Sequence, residues 1–207
     1  METINSAFGH LSSEFMRTQM VPEIDAYRFA TLAGRANSGA TVESTLSATN
    51  TIQLWDDAME YFGNTKVPKN RLVAFVTPTF KKFVKQSNLI ERQFMTQMGA
   101  MKLDRDVEML DGVMLVMVPQ DRFYTQITLQ TGNDAGFIKT ATTGRDLNFL
   151  IVDTMAGLAD KKIDDLVIFD PMVNQDMRAW KFQYRVYHDI FTPDNKVPGI
   201  YVNHKTT

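Results

Sequence analysis

VPKNRLVAFVTPTFKKFVKQS, residues 67–87, reads as one strand feeding one helix. Residues 72–76, LVAFV, are a continuous apolar run of strand length, which suits a strand buried on both faces. Thr77-Pro78 follows at once. The threonine hydroxyl can cap orphan N–H groups, and a proline is tolerated in a first helical turn. Phe80, Phe83 and Val84 then form the inner face of the helix.

Working outward, the upstream chain is helical over residues 6–33, where Phe8, Leu11, Phe15, Val21, Ile24 and Tyr27 recur at steps of three and four. Pro22 interrupts it, and a kink or break is expected there. Residues 36–49 are rich in Ser, Thr, Gly and Ala and read as a loop or weak strand, the first candidate boundary. A second helix starts at Asn50, with Gln53 three residues on as in a capping box. Its stripe is Ile52, Trp55, Met59 and Phe62, and Gly63-Asn64 ends it.

Downstream, residues 89–105 are ambiguous, and Met95, Met98 and Met101 stand at helical spacing as core filler or an interface stripe. Asp111-Gly112 between residues 107–110 and 113–118 is a strong hairpin signal. Residues 119–145 are expected to be irregular, 147–152 a buried strand, 154–158 a short helix and 167–169 a short strand. Trp180, Phe182, Tyr184 and Val186 alternate with polar residues, the mark of a strand with one buried face, and Trp180 is expected to be buried against the first helix. Pro193-Asp194-Asn195 turns the chain so that residues 199–202 return antiparallel, giving a long terminal hairpin. The fold class is α+β.

Composition narrows the chemistry. The chain has 207 residues, enough for one or two compact units, with 44% hydrophobic and 22% charged residues. A formal net charge of -2 gives no global field for DNA or anionic membrane, so no specific nucleic-acid or membrane partner is expected. The absence of cysteine removes disulfides, thiolate nucleophiles and Cys-based zinc sites. No apolar run approaches the roughly 20 residues of a membrane span. The start of the chain lacks a signal-peptide pattern, so a soluble, intracellular protein is expected.

His10, His188 and His204 are scattered, which argues against a metal site. His188 beside Asp189 is an oriented base or an ordinary end-of-strand residue. Asp56, Asp57 and Glu60 lie off the apolar stripe of their helix and read as its solvated face rather than an acid–base pair. No nucleotide-binding or nucleophile motif is present, and no catalytic residue, cofactor or metal is expected.

Four stretches, in order, carry a resemblance: EFMRTQMVPEIDAYRFATLA (14–33), residues 67–87, LDGVMLVMVPQDRFYT (110–125) and IFDPMVNQDMRAWKFQYRVYHDIFTPDNKVPGIYVN (168–203). Together they resemble the tailed-bacteriophage major capsid protein family, whose fold is shared with encapsulins. The resemblance implies a spine helix, the first strand–helix unit of an axial domain, a hairpin with a P-x-x-R-F element, and a C-terminal segment. It implies a peripheral domain from residues 1–45 and 165–207, with an axial domain, 46–164, inserted between them.

It further implies a structural shell subunit enclosing viral DNA, located in the virion capsid and in the host cytoplasm during assembly. Its partners would be copies of itself in capsomers, with scaffold or portal proteins. The loop 119–145 would lie near the capsomer axis, with Asp121, Arg122 and Arg145 as candidate intersubunit charges. Family members carry an N-terminal arm and an extended loop before the spine helix. Here that helix begins within the first ten residues, so a truncated and mostly monomeric form is expected. An encapsulin-like compartment subunit and a phage-derived domain recognised by a host factor remain open alternatives.

Overall fold

The structure is a computed structural model that describes residues 2–87, 107–131 and 136–206, with side chains from residue 9 onward. Met95, Met98 and Met101, and the side chain of Phe8, lie outside the described residues.

Helix α1 (Glu2–Phe15) runs through a π-helical turn (Met16–Met20) into α2 (Val21–Arg35). Pro22 does not break the helix. The Val21 N–H reaches back five residues to the Met16 carbonyl, and the wider turn sits where an α-helical ladder would have needed the absent proline N–H. α2 buries Ile24, Ala26, Phe29, Leu32 and Ala33 along one side.

A six-stranded sheet forms the centre, in the order β1-β10-β7-β2-β4-β3. Its strands are β1 (Thr41–Glu43), β2 (Leu72–Val76), β3 (Met109–Leu110), β4 (Val113–Met117), β7 (Leu147–Asp153) and β10 (Ile200–His204). β7 is buried along its whole length, as a continuous apolar run between two covered faces requires. The 111–112 turn is a tight hairpin, with Asp111 at φ 53° and Gly112 at φ 84°.

Alternate residues feed two cores, one on each sheet face. α3 (Thr51–Asn64) and α4 (Pro78–Gln86) cover the first, where Trp55, Phe62, Phe80, Phe149, Ile151 and Tyr201 meet. α2 covers part of the second, where Phe29, Leu32, Phe123, Leu150, Val152 and Ile200 meet. The Thr77 hydroxyl caps α4 by accepting from the Phe80 N–H. At the mouth of the sheet, Arg71 holds the buried Asp153 carboxylate in an ion pair.

Several expectations are corrected. The capping box is not formed. Asn50 Oδ1 accepts from the Ser47 N–H and its Nδ2 donates to the Thr45 carbonyl, so the side chain folds the preceding loop instead. Residues 119–145 are not irregular throughout, because β5 (Ile127–Gln130) and β6 (Gly136–Lys139) pair as a small hairpin. Residues 154–158 are not a short helix: 154–156 form a turn, with the Ala156 N–H bonded to the Asp153 carbonyl, and Leu158 begins the next strand.

The long hairpin also differs. β8 (Leu158–Phe169) is a twelve-residue strand that pairs antiparallel with β9 (Lys181–Phe191). β10 does not return along β9; it enters the central sheet, antiparallel to β7 and parallel to β1. Ile200, Tyr201 and Val202 are apolar on both sides of the strand, so they need a doubly covered position that a two-stranded ribbon lacks. Trp180 stands just before β9 and is 41% exposed, not buried against the helix. Its strand alternates as read, but Phe182 and Tyr184 are the residues that meet the helix, edge-on to Phe15 at 5.7 and 6.5 Å.

Candidate functional site

The residues with acid–base potential are spread apart. His188 packs edge-on against Tyr27 at 5.4 Å, and its Nδ1 is buried without a hydrogen bond. Burial, then the Arg28 charge, pushes its pKa down. Asp189 forms no hydrogen bond with that nitrogen. Its Oδ1 accepts from the Tyr27 hydroxyl at 3.0 Å and from the Ile190 N–H at 2.7 Å. Among the described residues no cluster of three or more His, Cys, Asp or Glu side chains could hold a metal, and no helix is long and apolar enough to cross a membrane.

What the fold does present is surface of two kinds. The first is apolar. Met109, Met114 and Val116 lie on the sheet face beside Val73 and Phe75, beyond the reach of α2, and Met114 is 56% exposed. A hollow of about 380 Å³ continues this surface under α2 between Phe29, Phe75, Val152 and Ile190. The β8–β9 ribbon adds Leu166, Ile168, Tyr187 and Phe191, all exposed, and the segment between its strands adds Met172, Val173 and Met177. Sequence reading overlooked the sheet-face row. Its one signal is the pair Met109 and Met114, large apolar residues flanking an exposed hairpin turn.

The second kind is charged, and the three candidate residues there separate. Asp121 and Arg122 lie on a short 3₁₀ turn (Gln120–Arg122) packed by α2. Arg122 bonds Asp121 at 3.2 Å and Asp25 at 3.5 Å, so both are engaged within the chain. Burial raises the Asp25 pKa despite the nearby Arg122 and Arg28 charges. Arg145 is elsewhere, at the start of β7, half-buried, lining a groove of about 660 Å³ with Tyr27, Thr125, Thr143 and His204.

Opposite, on α3, Asp56, Asp57 and Glu60 are exposed as their place off the stripe predicts. Burial and the like charges of Asp111 and Asp57 push the Asp56 carboxyl up. The Asp111 carboxylate also accepts from the buried Trp55 indole at 2.8 Å, tying the hairpin turn to α3.

No family model matches this chain, and no curated protein does. Solved structures do, among them the following two. A structure from Mycobacterium phage Che8 superposes with a TM-score of 0.57 at 12% identity, over 89% of this chain and 58% of the other. The asymmetric unit of the bacteriophage PhiM1 mature capsid superposes with a TM-score of 0.54 at 12% identity, over 99% of this chain and 64% of the other.

The chain has a phage capsid fold. Near-complete coverage at this identity is a likeness of fold rather than of side chains, and it includes the spine helix, the central sheet and the β8–β9 ribbon alike. The chain spans less than two thirds of the length of either capsid-fold neighbour.

Proposed function

We propose that this chain is the body of a phage capsid subunit, a structural protein that packs with copies of itself to enclose viral DNA. The capsid fold carries this reading, and its bare apolar surface supports it. A soluble protein rarely leaves contiguous apolar surface unless a partner covers it. A two-stranded ribbon of this length is marginal in water without something packed on its faces. Neighbouring subunits supply that packing in a shell.

In this reading no side chain acts chemically. The front helices and the β8–β9 ribbon form a peripheral unit, and the sheet with α3 and α4 forms an axial unit inserted within it. Arg145 and the surface beside the 119–145 loop contact a neighbouring subunit. The work is done in the virion capsid, after assembly in the host cytoplasm with scaffold or portal proteins.

Specific interfaces need at least about 1,000 Å² with good complementarity. The neighbours' chains extend beyond the part matched here, and in this reading their further length carries further interface. We therefore expect folded monomer at micromolar concentration and capsomer-like association on concentration. Sedimentation velocity and negative-stain electron microscopy test this. A chain that stays monomeric up to millimolar concentration contradicts the shell reading, and closed uniform shells formed by these residues alone favour a compact compartment protein.

A further inference from the structure

We propose that the groove around Arg145 receives the acidic face of α3 from a second copy of this chain, in a head-to-tail contact. This rests on the shell-subunit reading and names the two surfaces that meet.

Arg145 is positioned but not neutralised. Its backbone N–H donates to Thr125 Oγ1 at 2.8 Å, which fixes the residue at the groove wall. Among the described residues its guanidinium has no hydrogen-bond or ion-pair partner. The adjacent Asp146 does not supply one, because Lys139 at 2.8 Å and Lys205 at 3.5 Å already hold it. Among the described residues no carboxylate lines the groove; Thr31, Thr125 and Thr143 line it, beside the His204 ring. Arg145 is half-buried, its guanidinium has no counter-charge among the described residues, and a guanidinium bonds an incoming carboxylate strongly and with defined geometry.

The chain carries the matching anion on α3. The carboxylates of Asp25, Asp146, Asp153 and Asp164 are each held by a cation. Among the described residues Asp56, Asp57 and Glu60 are not, and Glu60 stands four residues from Asp56 and three from Asp57 on the exposed side of the helix. Asp111 and Asp57 both repel a charge on Asp56, and a cation brought by a second copy would relieve that repulsion.

The two surfaces cannot meet within one molecule. α3 packs through Trp55, Met59 and Phe62 on one face of the sheet. The groove opens beside α2 and Val202, which belong to the core on the opposite face. A contact between two different patches is heterologous, and repetition of it closes a ring or extends an array. That is the symmetry a capsomer needs, and it follows here from where the uncompensated charges lie.

A charge-swap cycle tests the pairing, read by sedimentation velocity on the concentrated chain, with circular dichroism and thermal melting to establish folding. Arg145→Glu and Asp57→Lys should each weaken self-association by about tenfold or more, as close interfacial charge pairs do. The double variant should recover most of the loss, and an equal mixture of the two single variants should associate better than either alone. If Arg145→Glu folds poorly, Arg145→Gln should still weaken self-association and Arg145→Lys should largely keep it, and equal association of these two variants overturns the pairing. Parent-like association of either single variant overturns the pairing and leaves the shell reading intact. Loss in both singles without recovery in the double also overturns it. A parent chain that never associates removes both.

Discussion

The chain has two tryptophans, and the structure gives them opposite roles. Trp55 is 0% exposed, packs against Phe80 and Phe149 at 6.0 and 6.2 Å between ring centroids, and donates to Asp111. Trp55→Ala therefore removes a wedge that joins α3, the sheet and the hairpin turn. Deleting a buried aromatic typically costs about 3–5 kcal/mol. The loss of the indole hydrogen bond to a carboxylate falls within that range rather than adding to it, because Asp111 is exposed and water replaces the donor.

In a chain of this size each kcal/mol lowers the melting temperature by about 2–4 °C, so Trp55→Ala should lose about 6–20 °C. Trp180→Ala leaves no enclosed cavity, since the ring is 41% exposed, and should cost about 1–2 kcal/mol at most. Thermal melts followed by circular dichroism measure both. Fluorescence gives an internal check, because each variant leaves a single emitter: Trp55 alone should emit blue-shifted and Trp180 alone red-shifted. Equal losses, or a larger loss at Trp180, would refute the packing described for both residues.

Two further outcomes follow from local geometry. A Cβ at Gly199 would stand 2.8 Å from the Asp153 Cβ and 3.4 Å from the Ala156 Cβ, so Gly199→Ala should destabilise by about 1–3 kcal/mol in urea melts; a neutral result would mean the turn after β7 can shift. His188 has its pKa held below the ordinary value near 6.5 by burial and the Arg28 charge, with Lys161 acting in the same direction and Asp189 and Glu23 opposing. The unfolded chain then takes the proton first, so stability is full when His188 is neutral and falls as pH drops through its titration range. His188→Phe should flatten the decline in melting temperature between about pH 7 and 5, and an unchanged profile would exclude His188 as its source.

The parts legible in the sequence are those whose physics is local. Residues 72–86 carry their own strand, cap and helix face, and Asp111-Gly112 carries its own turn. The α3 stripe is a periodicity that needs no partner to be recognised. The partner of β10 is not local. Ile200 pairs with Val152 and Thr41 with Val202, across sequence separations where proximity gives no hint. A turn-rich stretch at 193–199 suggested a return along β9, but the doubly apolar pattern of 200–202 was the stronger signal and pointed to the sheet. β5 and β6 escaped notice because ITLQ and GFIK are four residues each and half-exposed, too short for alternation to register.

The ribbon separates what periodicity can say from what it cannot. Phe182, Tyr184 and Val186 alternate as a strand with one apolar face should, and Phe15 covers the first two. On the paired strand, Leu166 and Ile168 stand opposite Tyr184 and Phe182 and remain 43% and 42% exposed. The apolar face is wider than the helix laid across it. Periodicity marks a side that leaves water without naming what covers it, and sequence reading assigned the cover to the same chain. The charges divide by the same logic. Arg122 and Arg145 look alike in sequence, yet Arg122 finds Asp25 on its own α2, whereas among the described residues Arg145 pairs with no acid. Under the shell reading proposed above, that part of the pattern is addressed to a neighbouring copy, and it becomes visible only after the contacts satisfied within one chain have been subtracted.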